Sequence, residues 1–194
     1  SWGVSAIGGD LAHHAGIKGE GVKVAILDTG ISSHTDLHIS GGISVIDSVY
    51  NHIDDNGHGT HIAGVIGAKI NDAGVVGVAP ETQLYAVKVL DQFGNGKYSN
   101  VIAGIDWAIE NQMDIISMSF GGHQPSQILH QAIQRAKDAG IIIVASAGNE
   151  GIGENTMLYP ALFPEVLSVG GVNKNFERSV FSSTGTELDL VAPG

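Results

Sequence analysis

Short apolar runs recur along the chain, separated by amphipathic stretches. The runs at 22–27, 43–46, 84–90, 115–118 and 141–145 are close to continuous in apolar character, and 166–169 and 188–191 add two more. Strands that read this way, instead of alternating, belong to parallel sheets covered on both faces. Between the runs the period changes. Val101, Ile102, Ile105, Ala108 and Ile109 share one face of a helix beginning near Ser99. Ile128, Leu129, Ala132, Ile133 and Ala136 do so for a helix opening after Pro125 and Ser126, with Gly140 as its stop. Strand–helix–strand units of this kind predict a doubly wound, mainly parallel α/β sheet with helices on both faces, and ligands at the carboxyl ends of its strands. No repeat, low-complexity tract or linker interrupts the pattern, so residues 1–194 read as a single domain.

Composition narrows the chemistry. Hydrophobic residues make up 43 % of 194 positions, enough for a real core. Nine Lys and Arg stand against 20 Asp and Glu, a formal net charge of -11. Phosphate would repel such a chain, so nucleic acid and anionic membranes are poor partners and cations suitable ones. There are no cysteines, which excludes disulfides, Cys-based zinc sites and thiol catalysis. No apolar run is long enough to span a membrane. The start, Ser1-Trp2-Gly3-Val4, lacks a leader's basic and apolar regions and reads as a processed or trimmed end.

Four segments could carry chemistry. Asp28 closes the first apolar run in Leu27-Asp28-Thr29-Gly30, either as an ordinary turn former or as a carboxylate held at the sheet rim to orient a histidine. Thirty residues on, His58-Gly59-Thr60-His61 offers two histidines that could share a helical face. A metal pair would need a third ligand, and no His-Glu-x-x-His motif is present. His58 therefore reads as a general base and His61 as a packed structural residue. Ser119-Phe120-Gly121-Gly122 follows the fourth run, as a glycine turn or as something more. Asn149, after the fifth run in Ala147-Gly148-Asn149-Glu150-Gly151, is either a turn former or an amide donor for a developing oxyanion.

In this order the four segments resemble the subtilisin-like serine proteases (subtilases), over essentially the whole chain. Gly77-Val78-Ala79-Pro80 and Ala192-Pro193-Gly194 strengthen the likeness. The resemblance implies a serine endopeptidase of broad specificity. Asp28 would orient His58, His58 would act as general base, and Asn149 would donate to the oxyanion. It also implies a peptide substrate lying as an added strand between Gly94-Asn95-Gly96 and Ser119-Phe120-Gly121. Ala145, Ser146, Ala147 and Gly148 would wall the primary pocket. Leu158 stands where many relatives have a small residue, which implies a preference for medium apolar side chains over large aromatic ones. The family's nucleophile sits in a Gly-Thr-Ser-Met-Ala type motif beyond the Ala-Pro-Gly. No such motif occurs here, so the expectation is a catalytic domain truncated before the helix that carries the serine. Such a chain would be inactive alone and partnered by its own C-terminal segment.

The resemblance further implies calcium. Asp36, with Lys69, Asn71, Ala73 and Val75, would form a tight calcium loop, weakened because an N-terminal ligand found in relatives is absent. A second cation site would use carbonyls of Ala161, Phe163 and Val166 with Glu187 and Asp189. Expected partners are protein or peptide substrates and a propeptide or proteinaceous inhibitor. Expected location is extracellular, with intracellular acidic relatives as the alternative. Two rival readings stand beside this one. Asp28-Thr29-Gly30 also resembles an aspartic protease half-site, although no second copy exists. A chain without its nucleophile could also be a pseudoprotease or peptide-binding module.

Overall fold

The computed structural model describes residues 2–46, 51–72 and 74–194. Two short helices, α1 (Trp2–Ala6) and α2 (Gly9–His14), precede a seven-stranded sheet. The strands are β1 (Lys23–Asp28), β2 (Ile39–Ser44), β3 (Gln83–Lys88), β4 (Ile115–Met118), β5 (Ile142–Ser146), β6 (Leu167–Val172) and β7 (Leu190–Pro193). Helix α3 (His58–Gly67) leads towards β3, α4 (Tyr98–Glu110) joins β3 to β4, and α5 (Gln127–Asp138) joins β4 to β5. Every neighbouring pair of strands is parallel, in the order β2-β3-β1-β4-β5-β6-β7.

This is the doubly wound arrangement that the apolar runs predict, and the alternation along β1 shows how it is covered. Ala25 and Leu27 pack in one core with Val101, Ile105 and Ala108 of α4 and Leu129, Ala132, Ile133 and Ala136 of α5. Val24 and Ile26 pack in a second core, on the opposite face, with Ala63 of α3. The central strand is thus dry on both sides, which is why its sequence is apolar without a break. Helix α5 opens where expected, because Ser126 Oγ accepts a bond from Leu129 N at 3.3 Å.

Two elements depart from the apolar pattern, both because of glycine. Strand β2 begins at Ile39, ahead of the expected 43–46 run. A Cβ on Gly42 would lie 2.1 Å from the Ala86 carbonyl oxygen, so the pairing with β3 needs a residue that hydropathy counts ignore. Helix α3 carries glycines at 59, 64 and 67, which hide its 3.6-residue period.

The topology also locates the site. From β1 the chain builds β2 and β3 on one side, then crosses to lay β4 to β7 on the other. The carboxyl end of β1 is therefore the switch point of the sheet, where loops diverge and leave a crevice.

Candidate active site

Asp28 is the last residue of β1 and its side chain is 1 % exposed. His58 is the first residue of α3, and its ring is 46 % exposed. His58 Nδ1 lies 2.7 Å from Asp28 Oδ1. An ionised carboxylate only accepts, so Nδ1 carries the proton and Nε2 is left with the lone pair of a base. Thr29 N donates to the same Oδ1 at 2.7 Å. Asp28 Oδ2 is buried with no hydrogen-bond partner among the described residues. The close approach of β1 and α3 depends on Gly59, where a Cβ would stand 2.2 Å from the Gly30 carbonyl oxygen.

Two further side chains hold this corner. Asp54 Oδ1 accepts from Thr29 Oγ1 (2.8 Å), Asn56 N (2.9 Å) and Gly57 N (2.9 Å). Its Oδ2 accepts from Thr60 N (2.9 Å) and Thr60 Oγ1 (2.6 Å). The carboxylate thus binds the open N–H groups at the start of α3, where the helix dipole also favours an anion. Burial works against its charge, but the N–H of Gly57, the Thr60 hydroxyl and the N–H groups of Asn56 and Thr60 outweigh burial. Together they pull the Asp54 pKa down to about 2. Lys88, the last residue of β3 and paired with Asp28 across the sheet, is fully buried. Its Nζ donates to the Thr29 carbonyl at 2.6 Å and to Asp55 Oδ1 at 2.7 Å. Sequence reading missed both residues. An Asp before an Asn-Gly turn and a Lys ending a strand are both commonplace, and the only hint was an Asp-Asp pair just ahead of the histidine motif.

The strand order sets the loops around this pair. Gly94, Asn95 and Gly96 lie exposed in the loop after β3, on one side of β1. Ser119, Phe120 and Gly121 follow β4 on the other side. Asp91 shapes the first loop by accepting from Phe93 N and Asn95 N, both at 2.9 Å. Asn56 Nδ2 ties that loop to the histidine turn through the Gln92 carbonyl at 2.9 Å. Ala145 and Ser146 end β5, Ala147 and Gly148 follow, and Asn149 stands exposed beyond them. Leu158 is buried between the two walls. A Cβ on Gly121 would meet its Cβ at 2.6 Å, and one on Gly148 would meet its Cγ at 2.9 Å. Leu158 N donates to the Ala147 carbonyl at 3.0 Å, and Tyr159 and Gly122 exchange backbone bonds at 2.9 Å. The His58–Asp28 pair, the loops 94–96 and 119–121 and the exposed Asn149 all lie at or past the carboxyl ends of parallel strands of one sheet. His61 is exposed, not packed as the sequence suggested.

Comparison with known proteins accounts for this grouping. Residues 19–194 match the Subtilase family. The whole chain aligns with the Thermostable alkaline protease of Halalkalibacterium halodurans (50 % identity over 193 residues, 53 % of that protein). It also aligns with Subtilisin DY of Bacillus licheniformis (47 % over 196 residues, 72 % of it) and Subtilisin E of Bacillus subtilis (49 % over 197 residues, 52 % of it). The chain belongs to the subtilase family. It spans about half the length of the first and last of these relatives.

Membership of the subtilases leaves the aspartic protease rival without support, since Asp28 is partnered by a histidine and not by a second carboxylate. The candidate metal residues fall into two groups. Lys69 N donates to the Asp36 carbonyl at 2.8 Å, and Asn71 Nδ2 donates to Asp36 Oδ1 at 3.1 Å. The Asn71 bond, helped by an N–H from Val75, holds the Asp36 carboxyl below the usual carboxylate range. A Cβ on Gly74 would sit 1.9 Å from Asp36 Oδ2, so the loop wraps this carboxylate tightly. Ala73 lies outside the described residues. The donors suit calcium in kind, being oxygens around one carboxylate, although Asn71 turns its nitrogen towards Asp36. The second group is more dispersed in its bonding. Asp189 Oδ2 accepts from Ser168 N (2.9 Å) and Ser168 Oγ (3.0 Å). Glu187 accepts from Thr186 Oγ1 (2.8 Å) and Asn155 Nδ2 (3.2 Å). The Phe163 carbonyl takes the Val166 N–H at 3.0 Å, and Ala161 is buried. Among the described residues no three His, Cys, Asp or Glu side chains are grouped to hold a metal.

Asp54 gives a pH signature. Its folded pKa is depressed, so the stability it contributes is complete above about pH 5 and is lost as pH falls through about 4 towards 2. Urea unfolding midpoints measured over that range should fall for the parent chain. In Asp54→Asn the midpoint should start lower and show a flatter acid limb.

Proposed function

We propose that this chain is the part of a subtilase endopeptidase that supplies the general base, its orienting carboxylate, the oxyanion donor and the substrate cleft. The observation that carries the reading is the 2.7 Å bond from His58 Nδ1 to a buried Asp28, which leaves Nε2 aimed outward as a base. In the reaction, Nε2 takes the proton of an attacking serine hydroxyl and later returns it to the departing amine. Asp28 keeps the ring in the required tautomer and stabilises the imidazolium. The Asn149 amide donates to the carbonyl oxygen as it becomes an oxyanion.

The serine is proposed to arrive on a C-terminal segment. Support comes from an apolar groove of about 540 Å³ lined by Trp2, Val4, Val65, Ala68, Val78 and Gly194. The relatives are longer than this span, and Ala192, Pro193 and Gly194 themselves line the groove. The pseudoprotease or peptide-binding reading is the alternative, and the same experiment separates the two. Joined to its nucleophile-bearing segment, the protein should cleave casein and react with a serine-directed phosphonate. Asp28→Asn should then lower kcat by about 10⁴. Asn149→Leu should lower kcat by about 10²–10³, a magnitude known from subtilisin itself. Binding of peptides without cleavage would favour the module instead.

The substrate backbone would add as a strand between 94–96 and 119–121, giving broad specificity through main-chain bonds. Selectivity would come from the pocket, where Leu158 fills space between Gly121 and Gly148. Medium apolar side chains should therefore be preferred before the cleaved bond. Leu158→Gly should raise kcat/KM for Phe or Tyr at that position by about 10–100-fold relative to Ala. A peptide panel on the two proteins measures it, and a parent enzyme already fastest after Phe or Tyr would defeat the idea.

Calcium is proposed at Asp36, Asn71 and the backbone oxygens of Lys69, Ala73 and Val75, where it would tie the loop to the body of the protein. Added to chelator-treated protein at a hundredfold excess over its Kd, it should raise Tm by about 5–10 °C. Asp36→Asn should remove that response. A second calcium near Ala161 and Phe163 has less support, because Glu187 and Asp189 are engaged with protein donors. An extracellular location follows from relatives such as the Minor extracellular protease Epr of Bacillus subtilis, 46 % identical over 193 residues. No described helix is long and apolar enough to cross a membrane. Peptidase activity in the culture medium would check it.

A further inference from the structure

We propose that Lys88 is a positioning residue, holding Asp28 and His58 in register through a paired charge with Asp55. The proposal rests on the catalytic reading of Asp28 and His58 given above. A lysine with no exposed surface is costly, because its ammonium loses water, and such groups persist only where protein acceptors replace that water. Here the acceptors are specific. One is the carbonyl of Thr29, the residue whose own N–H binds Asp28 Oδ1. The other is Asp55, three residues before His58. One ammonium therefore grips the strand end that carries the carboxylate and the turn that carries the base.

The period of β3 explains how it reaches both. Leu84 and Ala86 face the α3 side of the sheet, and Lys88 is the next residue in that alternation. Its Cα is in register with Asp28, so its stem runs up beside the end of β1. Leucine or methionine would fill the same volume. Neither would give the buried Thr29 carbonyl a donor or Asp55 a counter-ion.

The same placement gives Lys88 an electrostatic effect. The charged and titratable groups around His58 come from β1 (Asp28), the turn before α3 (Asp54 and Asp55), α3 (His61) and the loop after β3 (Asp91). His52 packs its ring against Gly42 of the neighbouring β2. Lys88 enters this acidic surround from β3 with a positive charge. It opposes a second positive charge on the imidazole, whereas Asp55 favours one. Deleting either partner should thus move the acid limb of activity, in opposite directions.

The test uses the full-length protein with its nucleophile-bearing segment and a soluble peptide substrate. Lys88→Met should raise the acid-side midpoint of kcat/KM by on the order of half a pH unit. It should also lower kcat by about 10–100-fold with KM nearly unchanged, as expected when reacting groups are misaligned. Asp55→Asn, which alters a side chain that is 42 % exposed, should lower the midpoint by a similar amount. The double variant should return the midpoint towards the parent value while kcat stays reduced. Midpoints that stay at the parent value, or move in the same direction in both single variants, would overturn the proposal. If Lys88→Met does not fold, Asp55→Asn decides by its sign alone. A parent protein without peptidase activity would instead refute the catalytic reading, and that result is separable from every outcome above.

Discussion

The bond between His58 Nδ1 and Asp28 Oδ1 constrains the rest of the molecule. For the carboxylate to hold its direction, the strand beneath it cannot move. That requires β1 to be central, dry on both faces and gripped by β3 and β4. For the ring to reach the carboxylate, α3 must begin at one particular height above the sheet. Asp54 fixes that height by binding the helix start, and Gly59 permits the contact. The strand order then does the remaining work. With β3 and β4 as neighbours of β1, the loops that would hold a substrate are forced to either side of the pair. The proposed peptide site would be a consequence of the sheet's winding more than of any one loop.

What could be read from the sequence follows the range of each interaction. Apolar runs are local, so five strands were placed near their true bounds. Helices α4 and α5 show their period openly. Asp28, His58 and Asn149 sit in short motifs at strand or helix ends; the structure joins the first two by a hydrogen bond and leaves Asn149 exposed past the end of β5, on the same side of the sheet. Strand β2 and helix α3 were obscured because glycines do the packing there, and hydropathy does not count a missing side chain. The resemblance singles out Leu158 as bulky for its position, yet only the structure shows it wedged between Gly121 and Gly148. Lys88 and Asp54 were invisible for a different reason. The partners of Lys88, Thr29 and Asp55, lie 59 and 33 residues away, while Asp54 takes most of its bonds from 56–60, a local pattern shared with any turn aspartate ahead of a helix.

Asp54 and Asp28 show how one residue type serves two ends at a single corner. Both are carboxylates near the start of α3, and both touch Thr29. Asp54 accepts five hydrogen bonds spread over its two oxygens, so its charge is matched locally and reaches little beyond the turn. Asp28 accepts from Thr29 N and His58 on one oxygen, and its other oxygen is buried with no protein donor among the described residues. A buried carboxylate with fewer protein donors interacts more strongly with the charge nearest to it. That charge is the one the imidazole acquires on taking a proton. The number of donors around each carboxylate therefore makes one a structural clamp and suits the other, on the proposed reading of His58, to be the electrostatic partner of a base.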